Sequence, residues 1–135
     1  ATKLFDMLAE RYPMVKKERP RTIVSAYSER IFEYHSLTPM VMKCAEDGDE
    51  VCYSIIETSA QHLVDGLLAV RRQFKNTKDV VELACMGGMI ENDTLLSRLL
   101  YQKLESEPSL NVVQPYGSAL DGAVSLAFKL LNDFE

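Results

Sequence analysis

Two short apolar runs, Val80–Cys85 (VVELAC) and Leu110–Gln114 (LNVVQ), separated by one helical pattern, constrain this chain more than any other feature. Glu82 is the one polar position in the first run, as expected of a strand covered on both faces. Between the runs, Leu95, Leu96, Leu99 and Leu100 recur at helical spacing. Two parallel strands joined by a helix make a right-handed βαβ unit, which places the chain in the α/β class.

The first run leads into Met86 and the pair Gly87-Gly88, then into Asn92-Asp93-Thr94, whose short polar side chains supply cap and first-turn chemistry for the next helix. A glycine pair alone reads as a tight strand-to-helix turn. A strand, two residues without side chains and a helix start are also where open α/β sheets seat ligands, because backbone there can approach a flat or phosphorylated group.

At 135 residues the chain has the length of a single domain, 1–135, and can bury a core. Its 47% hydrophobic and 26% charged content is that of a globular protein, so disorder is not expected. A net charge of −5 argues against a nucleic-acid surface, which needs a basic field. The basic cluster Lys16, Lys17, Arg19 and Arg21 lies beside Pro13 and Pro20, includes Glu18 and reads as a solvated connection. No apolar run reaches the ~20 residues that span a bilayer, and no signal-peptide pattern opens the chain. Cys44, Cys52 and Cys85 occur singly, as buried thiols of a reducing compartment do, and His35 and His62 lack ligand partners at metal spacing. The cytoplasm is the expected location.

Along the chain, Leu4, Phe5 and Leu8 predict a short helix ended by Tyr12-Pro13, with residues 14–22 as a charged connector. Residues 23–34 carry apolar positions at helical spacing. Ser36-Leu37-Thr38-Pro39 signals a helix start, or alternatively Pro39 kinks a helix begun earlier, and Met40, Val41, Cys44 and Ala45 form the buried stripe that follows. Asp47-Gly48 ends that helix and Asp49 caps the next, which runs to about Phe74. Val51, Cys52, Ile55, Ile56, Ala60, Leu63, Val64, Leu67 and Leu68 give this long helix a wide apolar face. Gly66 within it marks a close backbone approach, and Arg71, Arg72 and Lys75 suit the dipole at its end, before the link Asn76-Thr77-Lys78. Ser118 caps a last helix striped by Ala119, Leu120, Ala123, Val124, Ala127, Phe128, Leu130 and Leu131, whose small residues allow close packing on the sheet or another helix. The expected order is α-α-α-β-α-β-α. Two strands are few for a sheet apolar on both faces, so further strands from outside these residues, or a second copy, are expected to complete it.

Four segments resemble one family. Leu37–Ile56 (LTPMVMKCAEDGDEVCYSII) resembles the proline-containing helix, Ala-x-x-Gly-Asp turn and long helix of N-acetylglucosamine kinases and their BadF/BadG/BcrA/BcrD-type ATPase relatives. Val80–Leu96 resembles the adenosine motif of the actin, sugar-kinase and heat-shock-chaperone superfamily. Leu110–Gln114 falls where that family has its last strand, and Ser118–Ala123 is similar to the start of its final helix.

The resemblance implies the C-terminal half of a ribonuclease-H-like second lobe, with adenine and ribose resting against Gly87, Gly88, Met89 and Asn92. ATP would be the cofactor, with magnesium held by residues outside this chain. Met86 stands where the family often has Ser or Thr. The phosphate loops, sugar contacts and catalytic Asp of the family have no match here, so the chain alone is not expected to transfer phosphate. Two other readings stay open: part of an ATPase that activates 2-hydroxyacyl-CoA dehydratases, against which the scattered cysteines count, and a non-catalytic helical interaction module. Expected partners are a nucleotide, the missing part of the parent protein and a second copy, since open strand edges favour self-association. Asp47 and Asp49 read as turn and cap residues, Tyr116 as core cover, and Met40, Met42, Met86 and Met89 as packing.

Overall fold

The computed structural model describes residues 2–18, 21–74 and 79–132. In chain order these form α1 (Leu4–Arg11), α2 (Met14–Glu18), α3 (Thr22–Ser28), a 3-10 turn (Tyr34–Ser36), α4 (Leu37–Glu46) and α5 (Glu50–Arg71). There follow β1 (Val81–Ala84), α6 (Gly88–Glu91), α7 (Leu95–Glu105), β2 (Leu110–Val113) and α8 (Ala119–Asn132). The chain is mostly helical with one small parallel sheet, a general α/β architecture. It has more helices before β1 than the sequence predicts, and two helical pieces between the strands instead of one.

The α4–α5 corner forms as its sequence dictates. Gly48 takes φ +86°, a conformation that costs glycine nothing, and the Asp49 and Gly48 amides return to the Cys44 and Ala45 carbonyls at 2.9 and 3.1 Å. Asp49 then caps α5, accepting from the Cys52 amide at 3.0 Å and from the Lys3 amide at 2.7 Å. These bonds, the Cys52 one first, hold its carboxyl at about 2, below the usual 3.8. One side chain thus ties the start of α1 to the start of α5.

Along α5, Cys52, Ile56, Ala60 and Val64 recur every fourth residue and are buried. Cys52, Ile56 and Ala60 meet Cys44 and Ala45 of α4 and Leu99 of α7, with Leu4 and Met7 of α1 at the margin. Val64 meets Leu100 and Leu104 of α7 and, beneath the sheet, Leu83, Cys85 and Leu110. The wide face expected for α5 is only partly covered: Val51, Ile55 and Leu63 are exposed. Gly66 has nothing within 4 Å of where a Cβ would stand, so it marks no close approach.

β1 and β2 pair in parallel, with Val81 opposite Leu110 and Ala84 opposite Val113. Arg71, at the end of α5, is buried and donates to the Ser109 carbonyl at 3.4 Å and to the Asp79 carbonyl, fastening both strand entries. Arg71 does lie in the last turn of α5, as expected of a cation suited to the helix dipole, and is in addition buried against the two strand entries. Lys75 and the link 76–78 lie outside the described residues.

Other expectations fail for definite reasons. The connector 14–22 contains α2, because Val15 is drawn into the interior; Arg19 and Pro20 lie outside the described residues. The helix expected over 23–34 stops at Ser28, where the amides of Ile31 and Phe32 fold back onto the Ala26 carbonyl and Phe32 is buried beside Tyr12. β1 is covered on one face only: Val81 and Leu83 are half-buried, Glu82 and Ala84 exposed. Ser118 does cap α8, accepting from the Asp121 amide while the Asp121 carboxylate accepts from the Ser118 amide at 2.7 Å. Yet every residue of α8 from Ala119 to Leu131 is exposed, so α8 does not cover the sheet.

Candidate functional site

The corner after β1 is built around Gly87, whose φ of +117° excludes an L side chain. Its carbonyl accepts from the Ile90 and Glu91 amides at 2.8 and 2.9 Å, which winds α6. Its own amide donates to the Glu91 carboxylate at 2.9 Å. Gly88 differs: it has no positive φ, and a Cβ there would meet nothing nearer than Asn92 Nδ2 at 3.8 Å. Neither backbone nor packing therefore demands glycine at position 88. Its missing side chain leaves the outer surface of the corner open.

The corner is closed from within. Asn92 Nδ2 donates to the Gly88 carbonyl, and Thr94 Oγ1 to the Met89 carbonyl at 2.8 Å. Thr94 and Ser97 form a reciprocal capping box, 3.1 and 3.0 Å, at the start of α7. The helix for which Asn92-Asp93-Thr94 is expected to supply the cap begins at Leu95, with Thr94 as the cap and the Thr94 and Ser97 amides bonded. Before the corner, Cys85 is half-buried beside Tyr101; burial pushes both the thiol and the phenol above their ordinary pKa values.

Met89 leaves the corner toward α4 and α5 and lines an apolar groove of about 180 Å³. Leu37, Thr38, Val41 and Met42 of α4, Ile55, Ile56 and Ser59 of α5 and Leu96 of α7 form the rest of its wall, with no charged side chain among its described lining residues. Past Met89, Thr38 and Met42 the groove opens into a depression bordered by Glu46, Asp93 and Thr94. Arg98 spans that border, 2.7 Å from Asp93 and 3.5 Å from Glu46. An uncharged slot beside a polar rim holding both acceptors and a cation can take a flat apolar ring at one end and hydroxyl groups at the other.

The four expected site residues thus share one corner, in different roles. Gly87 shapes the backbone, Gly88 leaves space, Met89 reaches the groove and Asn92 spends its amide on the Gly88 carbonyl. Sequence reasoning missed the groove walls Thr38, Val41, Met42 and Ile55. The signal present was an excess of apolar residues on α4 and α5 over what one buried line requires. Tyr116 is 96% exposed and donates to Glu82 at 3.1 Å, so it covers no core and lies over the open face of the sheet; this bond raises its pKa.

Cys44, Cys52 and Cys85 are free thiols, and His35 faces Glu33 at 3.3 Å on the surface. Among the described residues no group of three or more His, Cys, Asp or Glu could hold a metal ion, and no helix is long and apolar enough to cross a membrane. No protein-family profile, curated protein or solved structure matches the chain.

Proposed function

We propose that the chain is part of the nucleotide-binding lobe of an ATP-dependent sugar kinase of the N-acetylglucosamine kinase type, and that its Gly87–Gly88 corner and the adjoining groove seat adenosine. The carrying observation is Gly88: a residue free to bear a side chain bears none, at the end of a parallel strand and beside an uncharged slot. The adenine ring lies in the groove against Met89, Val41 and Ile55, and the ribose hydroxyls meet the rim of Glu46, Asp93 and Arg98. Among the described residues no lysine or arginine lines the slot, and the reading leaves the phosphates and their magnesium to other parts of the lobe. The chain is accordingly a binding half-site without phosphoryl-transfer activity of its own. The reading as a dehydratase-activating ATPase gains no support from the cysteines, two of which are buried in the helical core.

Titration of the isotopically labelled chain with adenosine, ADP and ATP tests the proposal by amide chemical shifts. Shifts are expected at Gly87, Gly88 and Met89 and along Val41–Met42, of similar size for the three ligands. Gly88→Val should abolish them with the circular dichroism unchanged, because its side chain has room in the free protein and fills the seat. Silence of these amides at millimolar nucleotide, or an unaltered response in Gly88→Val, would remove the assignment.

A further inference from the structure

We propose that α1 is a hinged cover over Cys44 and Cys52, and that its opening exposes both thiols to small soft electrophiles while the α4–α5–α7 core stays folded. Both sulfurs meet this one element. The Cys44 thiol donates to the Met7 thioether at 3.3 Å, and Cys52 Sγ lies 3.8 Å from Thr2 Oγ1, just before α1 begins. Cys44 is 1% and Cys52 0% exposed, so with α1 in place no reagent reaches either sulfur. Burial also pushes the Cys52 thiol above its ordinary pKa, which keeps it protonated and unreactive.

The cover is held more weakly than what it covers. α1 has 8 residues, too few to persist as an isolated helix, and none of them is buried. It is held by Leu4 and Met7 at the margin of the core, by the Lys3 amide on the Asp49 carboxylate at 2.7 Å, and by the Lys3 ammonium on the Asp47 carbonyl at 3.5 Å. The chain after it is better anchored. The Tyr12 hydroxyl is 2.9 Å from Ser36 Oγ, its ring packs on Phe32 with centroids 4.8 Å apart, and Val15 is buried. α1 can therefore swing out about Tyr12-Pro13, and segments with so few buried contacts open at far less cost than global unfolding. Beneath it, Cys44 and Cys52 stay fixed on the packed faces of α4 and α5. An adduct on either sulfur has no space under the closed helix, so thiol modification is converted into lasting release of α1. None of the residues that seat the nucleotide belongs to α1, so the two readings stand apart.

N-ethylmaleimide labelling of the 135-residue chain, read at each cysteine by mass spectrometry, tests it. The thiolate adds across the ring double bond, the displaced electron pair takes a proton from water, and nothing leaves. Cys44 and Cys52 should react at similar rates, and urea should accelerate both much less steeply than it unfolds the chain. Lys3→Pro deletes the donor to Asp49 at a position whose φ of −69° proline accepts, and should speed both reactions about 10-fold. Leu4→Ser loosens the same helix from the core and should do likewise. Leu100→Ala weakens the core away from α1 and should leave both rates unchanged in native buffer. After labelling, hydrogen exchange should quicken in Leu4–Arg11 with the middle of α5 still protected. A full unfolding-type urea dependence at either thiol, acceleration by Leu100→Ala, no acceleration in the two α1 variants, or a labelled chain with α1 still protected would each overturn the proposal.

Discussion

α5 and α8 carry similar apolar sequences and meet opposite fates. Four residues of α5 at a spacing of four lie 0–4% exposed between α4 and α7. α8 repeats alanines and leucines at the same spacing, and all of its residues from Ala119 to Leu131 are exposed. Local pattern therefore makes both segments helical but does not decide burial; the presence of neighbouring layers does. The core is the α4–α5–α7 packing, with the sheet attached along one face through Leu83, Cys85 and Leu110.

The largest effect expected from this contrast is at Leu100, which is 1% exposed between α5 and the sheet. Leu100→Ala should cost about 3 kcal/mol in urea unfolding. Leu120→Ala on α8, measured at dilution, should cost under about 0.5 kcal/mol. Equal losses at the two positions would mean that α8 is packed, and the contrast would fail. Next comes Arg71→Met, which unties the Asp79 and Ser109 carbonyls. A loss of about 2 kcal/mol is expected, with hydrogen exchange accelerating in Val81–Ala84 while the middle of α5 stays protected. Uniform acceleration would show that the strands and α5 open together.

Thr94→Ala removes half of the capping box on α7 and should cost about 1 kcal/mol. Its effect should reach the core through Leu99 and Leu100, and no loss of stability would mean that the cap is dispensable. Asp49→Asn keeps an acceptor for the cap and removes only the charge. Asp49 has its pKa lowered to about 2 in the fold from 3.8. Its charge therefore contributes stability that is complete above pH 3.8 and is lost as pH falls through 2. Asp49→Asn should flatten that acid slope, and identical acid unfolding of mutant and wild type would assign the slope to other carboxylates.

Much of the local structure was legible. Gly48 with Asp49, and Ser118, predict their corners because the required backbone conformation and the capping bond are set within a few residues. The parallel pairing followed from two apolar runs with a helical segment between them. For the site, Gly87 and Gly88 stood out because glycine pairs after strands have few uses. The groove did not, because its walls come from segments far apart in the chain and exist only where α4 crosses α5.

The amino-acid order alone settled the Gly48–Asp49 corner, the Ser118 cap and the glycine corner, since those are governed by backbone sterics and hydrogen bonds over a few neighbouring positions. Tertiary structure decided which apolar faces are buried, that Val15 pulls its segment into a helix, and that Arg71 turns inward to hold both strands. Burial depends on which surfaces meet in space, and no local pattern fixes that.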